Sequence, residues 1–252
     1  MRERRSVPPA ELRRALREAA RHRPDPLRPP VVLALPFTGW WRVDRTPAAR
    51  VPSHGTHFGG QTYALDFVPV DERGRSDVRR DWRSVLAAEP VQRFVGFGRP
   101  VLAPADGVVV AVHSGEPDLV ARRSPVAALP YLLSQGRRLR QGVAAIVGNH
   151  VILELAGGEF VLLAHLRARS PRVRPGDRVR PGQPVAECGN SGNSTQPHLH
   201  FQVMDSADLL AARGLPVAFR DYVVSSGGPA GFRSVGVPGQ REIVGPAPAG
   251  PA

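Results

Sequence analysis

Two histidines separated by a single residue, His198 and His200, are the first side chains in this sequence whose spacing suggests chemistry. They lie at the start of the apolar run Leu199 to Met204, which is typical of a β-strand. Residues two apart on a strand point to the same face, so both imidazoles would enter one pocket. Such a pair can hold a metal ion with one ring and transfer a proton with the other. A surface strand can also carry two exposed histidines, so the pair alone leaves both interpretations open.

A carboxylate, Asp66, lies inside the strongly apolar run Tyr63 to Val68. Burying an unpaired carboxylate is costly, so Asp66 needs a cation or several hydrogen-bond donors. Together with His200 and a histidine from the preceding loop, it would give a set of two nitrogens and one oxygen. Three such ligands leave one position on a zinc ion open for water, as in catalytic sites. The alternative is that Asp66 caps a turn or pairs with an arginine.

The preceding loop offers two histidines, His54 and His57, and a further one, His165, ends the apolar run Phe160 to Ala164. A lone histidine at the end of a strand is more often structural than catalytic. Only the combination with the other candidates makes His165 a candidate for proton transfer.

Short apolar runs bounded by Gly, Pro, Asp or Asn predict the strands that must position these side chains. Seven such runs occur: Val31–Leu35, Tyr63–Val68, Gly107–Val112, Val151–Leu155, Phe160–Ala164, Pro184–Ala186 and Leu199–Met204. The pattern predicts a mainly β fold, an antiparallel β-sandwich or open barrel, with short helical insertions and an N-terminal helix.

Three regions follow from the change of pattern along the chain. Residues 1–30 are predicted to be a basic helical extension, residues 31–225 the main domain, and residues 226–252 a partly ordered or disordered tail rich in Gly, Pro and Ala. The polar, Arg-rich segments 76–97 and 117–141 are predicted to be insertions at the rim of the domain.

The formal charge of +12 comes entirely from arginine, since the 252 residues include no lysine. This bias is typical of a GC-rich genome, and no aromatic platform or recognised motif accompanies the arginines, so specific nucleic-acid binding is not favoured. The absence of lysine also excludes a biotinyl or lipoyl carrier. The single cysteine, Cys188, cannot form an intramolecular disulfide. No run is apolar enough for a signal-peptide core or a transmembrane helix, which leaves the location open: cytoplasmic by sequence, outside the membrane if the target is the cell wall.

Several short motifs together resemble the lysostaphin-type (LytM-like) zinc metallopeptidases over roughly residues 31–222. The motifs are Ala103–Val109, Gly148–Ile152, Ala164–Leu166, Gly176–Val179, Gly182–Gln183, Gly189–Gly192 and Pro197–Phe201. The resemblance implies a duplicated hybrid motif fold and one bound Zn²⁺. It also implies that the substrates are peptides of bacterial peptidoglycan, either stem or cross-bridge peptides.

Carried over by residue, the resemblance implies that Asp66 and His200 bind zinc with a histidine before Asp66, and that His165 and His198 form the catalytic pair. In the common pattern three residues separate the first ligand from its aspartate, whereas here eight separate His57 and eleven separate His54 from Asp66. We favour His57 as the first ligand because the shorter loop closes more easily, and keep His54 as the alternative.

The resemblance also implies the chemistry. Zinc lowers the pKa of a bound water toward about 7 and polarises the scissile carbonyl, with histidine rather than glutamate as the base. No His-Glu-x-x-His segment is present. The alternative function is a catalytically silent domain that binds or regulates at the wall. Oligomeric state is not indicated.

Overall fold

The computed structural model describes residues 7–78, 81, 86–124, 126, 142–225 and 230–248. Fourteen strands occur in these residues: β1 Val31–Leu33, β2 Trp41–Arg45, β3 Leu65–Pro69, β4 Pro100–Leu102, β5 Gly107–His113, β6 Asn149–Leu155, β7 Phe160–Leu166, β8 Arg178–Val179, β9 Pro184–Glu187, β10 Leu199–Met204, β11 Gly214–Leu215, β12 Val217–Ser225, β13 Gly231–Gly236 and β14 Ile243–Pro246. The helices include α1 Pro9–Arg21 and the single turn α2 Ala144–Val147, with 3₁₀ segments at Phe58–Tyr63 and Val91–Arg93.

One large sheet dominates the architecture, with the strand order β1-β12-β14-β2-β3-β10-β7-β6-β5-β8. Strands β11 and β13 pair with β10 and β12 beside this path, and β4 and β9 form a separate two-stranded sheet. The pairs are antiparallel except β1 with β12, which is parallel. Within the described residues the end strands β1 and β8 do not pair, so the sheet is open. The predicted mainly β fold is confirmed, and all seven predicted runs contain a strand.

The central strands β3, β10 and β7 are buried on both faces, which explains their nearly continuous apolar sequences. One face packs into the main core through residues such as Leu65, Phe67, Leu163, Leu199 and Phe201, each with no exposed surface. The intervening residues point to the other face.

On that other face, four residues form one row across neighbouring strands. Arg45 of β2 lies opposite Asp66, Asp66 opposite His200, and His200 opposite Ala164. Directly opposite side chains of antiparallel strands are close neighbours. The register therefore brings Asp66 and His200 together from positions 134 residues apart in the chain.

The C-terminal segment differs from the predicted tail. In residues 230–248, β13 pairs with β12, and β14 lies between β12 and β2 inside the large sheet. Val244 is fully buried in the core. Residues 230–248, which were predicted to belong to a partly ordered or disordered tail, therefore form strands of the large sheet, whereas 226–229 and 249–252 lie outside the described residues.

The N-terminal helix α1 is present, and it packs beside the 3₁₀ segment Phe58–Tyr63. The two predicted insertions lie partly outside the described residues; their described parts form isolated bridges between Asp77 and Phe94 and between Glu89 and Ala121. None of the helices in the described part of the chain has the length and apolarity needed to span a bilayer.

Candidate metal centre and proton-transfer site

Three side chains bring ligand atoms to one point on the sheet face: His54, Asp66 and His200. These atoms all lie within 4.8 Å of one another. His54 Nε2 is 3.0 Å from Asp66 Oδ2, and His200 Nδ1 is 2.9 Å from Asp66 Oδ1. The cluster is the one group of this kind among the residues that the structure describes.

Hydrogen bonds on the far side of each imidazole fix which nitrogen faces the cluster. Ser53 Oγ donates to the carbonyl of Gln61, so it accepts a hydrogen bond from His54 Nδ1 at 3.0 Å. Gln202 Nε2 donates to the carbonyl of Gly59, which directs Gln202 Oε1 to His200 Nε2 at 2.9 Å. His54 Nε2 and His200 Nδ1 therefore face the carboxylate, where each donates a hydrogen bond to Asp66 when it carries a proton and offers a lone pair to a cation when it does not.

This donor set fits a divalent cation. Two imidazole nitrogens and a carboxylate oxygen converge in a buried place, and three electron-pair donors at that spacing repel one another unless protons or a cation lie between them. The support given to each histidine by an acceptor behind it is the usual arrangement around metal ligands.

The pKa values of the clustered side chains shift in different directions. Burial raises the pKa of Asp66, but its electrostatic interactions with His54 and His198 and its hydrogen bonds with His200 and His54 outweigh burial and hold the pKa well below its ordinary value. Burial lowers the pKa of His54 more than Asp66 raises it, so this imidazole is neutral near pH 7. Burial also lowers the pKa of His200, yet the hydrogen bond and charge of Asp66 outweigh burial and raise it overall. An ionised carboxylate therefore sits at the centre of the cluster.

The favoured first ligand, His57, lies elsewhere. Its Nδ1 is 3.0 Å from Thr62 Oγ1, and its ring packs edge-on against His22 next to α1. The loop is closed at its base, where the Ser53 N–H donates to the Thr62 carbonyl, and this closure holds the neighbouring His54 against β3. Sequence distance to Asp66 is thus a poor guide, because a residue at the stem of a closed loop lies nearer the strand than one further along the loop.

The predicted catalytic pair, His165 and His198, lies beside this cluster. Their ring centroids are 4.7 Å apart, and the His165 ring is 5.8 Å from that of His200. His165 Nδ1 donates to the Ser191 carbonyl at 2.9 Å, and His198 Nδ1 donates to the Gln196 carbonyl at 2.9 Å. Each imidazole therefore leaves its Nε2 available for proton transfer.

His165 is held in an unusual environment. Its φ of 60° is in the left-handed region that non-glycine residues rarely occupy, and such strain is concentrated at functional sites. Burial lowers its pKa well below the ordinary value, and positive charge on His198 and His200 adds to this effect. His165 is therefore a neutral imidazole, able to accept a proton.

The polar loop before β10 orients these histidines. The polar residues of this loop are Asn190, Ser191, Asn193 and Ser194. In the structure the Ser191 carbonyl fixes His165, and Ser194 Oγ lies 2.9 Å from His198 Nδ1. Ser191 Oγ also donates to the Leu166 carbonyl, which ties this loop to the end of β7.

Two groups of residues at the site were not predicted from the sequence. Gln202 accepts a hydrogen bond from His200. The sequence pattern could have identified it, since Gln202 continues the alternation of His198 and His200 on one strand face. Arginines also line the groove that holds the cluster, a cavity of about 1410 Å³. Arg45 Nε lies 3.6 Å from Asp66 Oδ2.

Comparison with known proteins gives one family match. Residues 91–212 match the sequence model of peptidase family M23. His165, His198 and His200 lie within these residues, whereas His54 and Asp66 lie before them. The family match therefore covers the predicted catalytic pair and one of the three clustered side chains.

Three proteins of known name or structure are similar to this chain at 20 to 29% identity. A peptidoglycan DD-endopeptidase of Vibrio cholerae, ShyC, is 29% identical over 134 residues, which are 53% of this chain and 29% of the relative, so the chain spans less than a third of that protein's length. The catalytic domain of lysostaphin from Staphylococcus simulans is 20% identical with a TM-score of 0.36, covering 70% of this chain and 88% of that one. A zinc-containing peptidase from Vibrio cholerae is 20% identical with a TM-score of 0.36, covering 68% and 36%.

The match over residues 91–212 agrees with the resemblance drawn from the motifs, and the site described above lies on the sheet that these residues help to build. Residues 91–212 of this chain are therefore similar in sequence to the peptidases of family M23.

Proposed function

We propose that this chain is a zinc-dependent endopeptidase that cleaves peptide bonds in peptidoglycan. The observation that supports it most is the convergence of His54, Asp66 and His200 next to the paired imidazoles of His165 and His198. In this proposal His54 Nε2, Asp66 and His200 Nδ1 hold one Zn²⁺, so His54 replaces His57 as the first ligand.

When bound, zinc supplies a Lewis acid and a water of lowered pKa. The neutral imidazole of His165 accepts a proton at Nε2, because its Nδ1 proton is held by the Ser191 carbonyl. His198 has the same arrangement through Gln196, and its Nε2 is available to stabilise developing negative charge or to protonate the leaving amine. The substrate proposal is supported by the named activity of the Vibrio cholerae relative and by the family match.

Digestion of purified peptidoglycan by the zinc-loaded protein, followed by mass spectrometry of the released fragments, tests this function. We expect fragments cut within the peptides. A His165→Ala variant is expected to lose activity by roughly 10²- to 10⁴-fold, the usual contribution of a general acid or base. A His57→Ala variant keeps its activity and serves as the control.

Intact peptidoglycan after incubation with a protein that contains stoichiometric zinc would remove the substrate claim. A wild-type protein without stoichiometric zinc would instead favour the alternative, a catalytically silent wall-binding or regulatory module.

A further inference from the structure

We propose that the groove selects peptides carrying a free carboxylate close to the scissile bond, and that Arg50 and Arg241 bind this carboxylate. The inference deepens the proposed function and rests on it for the position of the scissile bond. It concerns which peptides bind, a property that the metal cluster alone does not determine.

The arginines lie on one side of the cluster, as the strand order shows. Strands β14 and β2 neighbour β3, which carries Asp66, on the side away from β10 and β7. Arg42 and Arg45 lie on β2, Arg50 follows it, and Arg241 precedes β14. All four line the groove. The groove is therefore cationic along its β2–β14 side.

The groove's own carboxylates do not neutralise this charge. Its charged lining includes four arginines and only two aspartates, Asp44 and Asp66. Asp44 already forms an ion pair of 2.8 Å with Arg42, and both carboxylate oxygens of Asp66 form hydrogen bonds with His54 and His200. Within the described part of the chain, no carboxylate pairs with Arg50 or Arg241, and both residues are exposed.

The backbone presents Arg241 at the groove in a fixed way. Its φ is 70°, a left-handed conformation, and its N–H donates to the Val43 carbonyl at 2.7 Å. Beside it, Gln240 Nε2 donates to the Asp44 carbonyl at 3.1 Å. Backbone strain held by such contacts is typical of residues that act on a ligand.

The opposite side of the groove presents a group of aliphatic side chains. Val143, Ile146 and Val147 of the α2 region line it together with Leu162 of β7. The Asn193 N–H donates to the Ile146 carbonyl, which ties α2 to the loop before β10. A peptide that lies across the strands over the cluster would thus meet arginines at one end and aliphatic side chains at the other. Planar guanidinium groups bind carboxylates with two parallel hydrogen bonds, which makes the carboxylate the matching ligand.

Binding can be tested separately from cleavage with the His165→Ala variant. The probes are two synthetic wall-stem peptides of identical sequence, one with free α-carboxylates and one with these groups converted to carboxamides. By calorimetry or fluorescence anisotropy at low salt, we expect the carboxylate peptide to bind about 10-fold more tightly, the effect of about one charge-assisted hydrogen bond. Raised salt should reduce this preference, because the arginines are exposed.

Substitution identifies the residues that cause the preference. In the His165→Ala background, Arg50→Gln and Arg241→Gln together should reduce the preference to less than about 2-fold. Arg178→Gln, an exposed arginine on β8 at the far end of the sheet, should leave it unchanged. Arg45 is not substituted, because its Nε lies 3.6 Å from Asp66 Oδ2 and its loss would also change the histidine cluster.

Equal binding of the two peptides would overturn the inference. A preference that persists in the double arginine variant would also overturn it, since the carboxylate would then bind elsewhere, for instance to the metal. A preference lost in the double variant, in a protein that leaves peptidoglycan intact, would support the arginine site while contradicting the proposed activity. Cleavage of peptidoglycan by a protein that binds the two peptides equally would support the proposed activity while contradicting the arginine site.

Discussion

Asp66 shows how much a single residue in an apolar strand reveals. A buried carboxylate needs partners, and strand alternation brings His198 and His200 to the same face, so these three candidates were predictable from local pattern. His165 became a candidate only in combination with them and through the resemblance of the motifs. His54 was not predictable, because its position depends on the closed base of the loop rather than on its distance along the chain. Gln202 was overlooked although it follows the same alternation, because an amide is not itself a typical zinc ligand.

Gln202 accepts a hydrogen bond from His200, and removing its acceptor oxygen tests whether this bond supports the proposed zinc site. Gln202→Met has a similar volume but cannot accept the Nε2 hydrogen bond of 2.9 Å. We expect zinc affinity, measured by competition with a chelating dye, to fall by about 10- to 100-fold, as for other residues that orient metal ligands. Gln183→Met, at a half-buried position outside the groove lining, is the control. An unchanged affinity for Gln202→Met would show that His200 needs no such support.

At the scale of elements, the long apolar strands were predictable because burial on both faces leaves continuous runs of Val, Leu and Phe. The C-terminal strands were not, since β13 is largely exposed and β14 contains Gly and Pro, so their composition resembles that of a loop. Their place in the sheet comes from pairing with β12 and β2, which is information from distant parts of the chain. The segment between β13 and β14 also places Arg241 in the groove.

Two substitutions distinguish a structural C-terminal segment from a loose tail. Val244 is fully buried, so Val244→Ala removes two methyl groups from the core and should lower the free energy of unfolding by about 2 kcal/mol. Phe232 on β13 is 56% exposed, and Phe232→Ala should change that free energy by less than about 0.5 kcal/mol. Urea unfolding at pH 7 measures both. Equal, negligible effects would mean that β14 contributes nothing to the core.

At the scale of the whole molecule, the structure holds several histidines neutral by burial. His150 on β6 lies apart from the metal cluster, stacks on His113 at 5.6 Å and donates from Nδ1 to the Gly148 carbonyl. Burial lowers its pKa from 6.5 to about 4. Such a group takes up a proton in the unfolded chain before it does so in the folded one, so the folded protein loses stability as the pH falls through this window.

The pH dependence of folding gives a direct test of that effect. Between pH 7 and pH 5, His150 should lower the free energy of unfolding by about 2 kcal/mol. His150→Asn keeps a donor toward Gly148 but cannot titrate, so its stability should fall less over the same range by about that amount. Urea unfolding of both proteins at the two pH values measures the difference. Identical pH dependence in the two proteins would show that His150 is readily protonated in the folded state.

The central claim is that His54, Asp66 and His200 hold one zinc ion, and elemental analysis of three purified proteins tests it most directly. We expect about one zinc per chain in the wild type and in His57→Ala, and a large loss in His54→Ala, with circular dichroism confirming that all three are folded. Zinc that is retained in a folded His54→Ala and lost in His57→Ala would contradict the site described here.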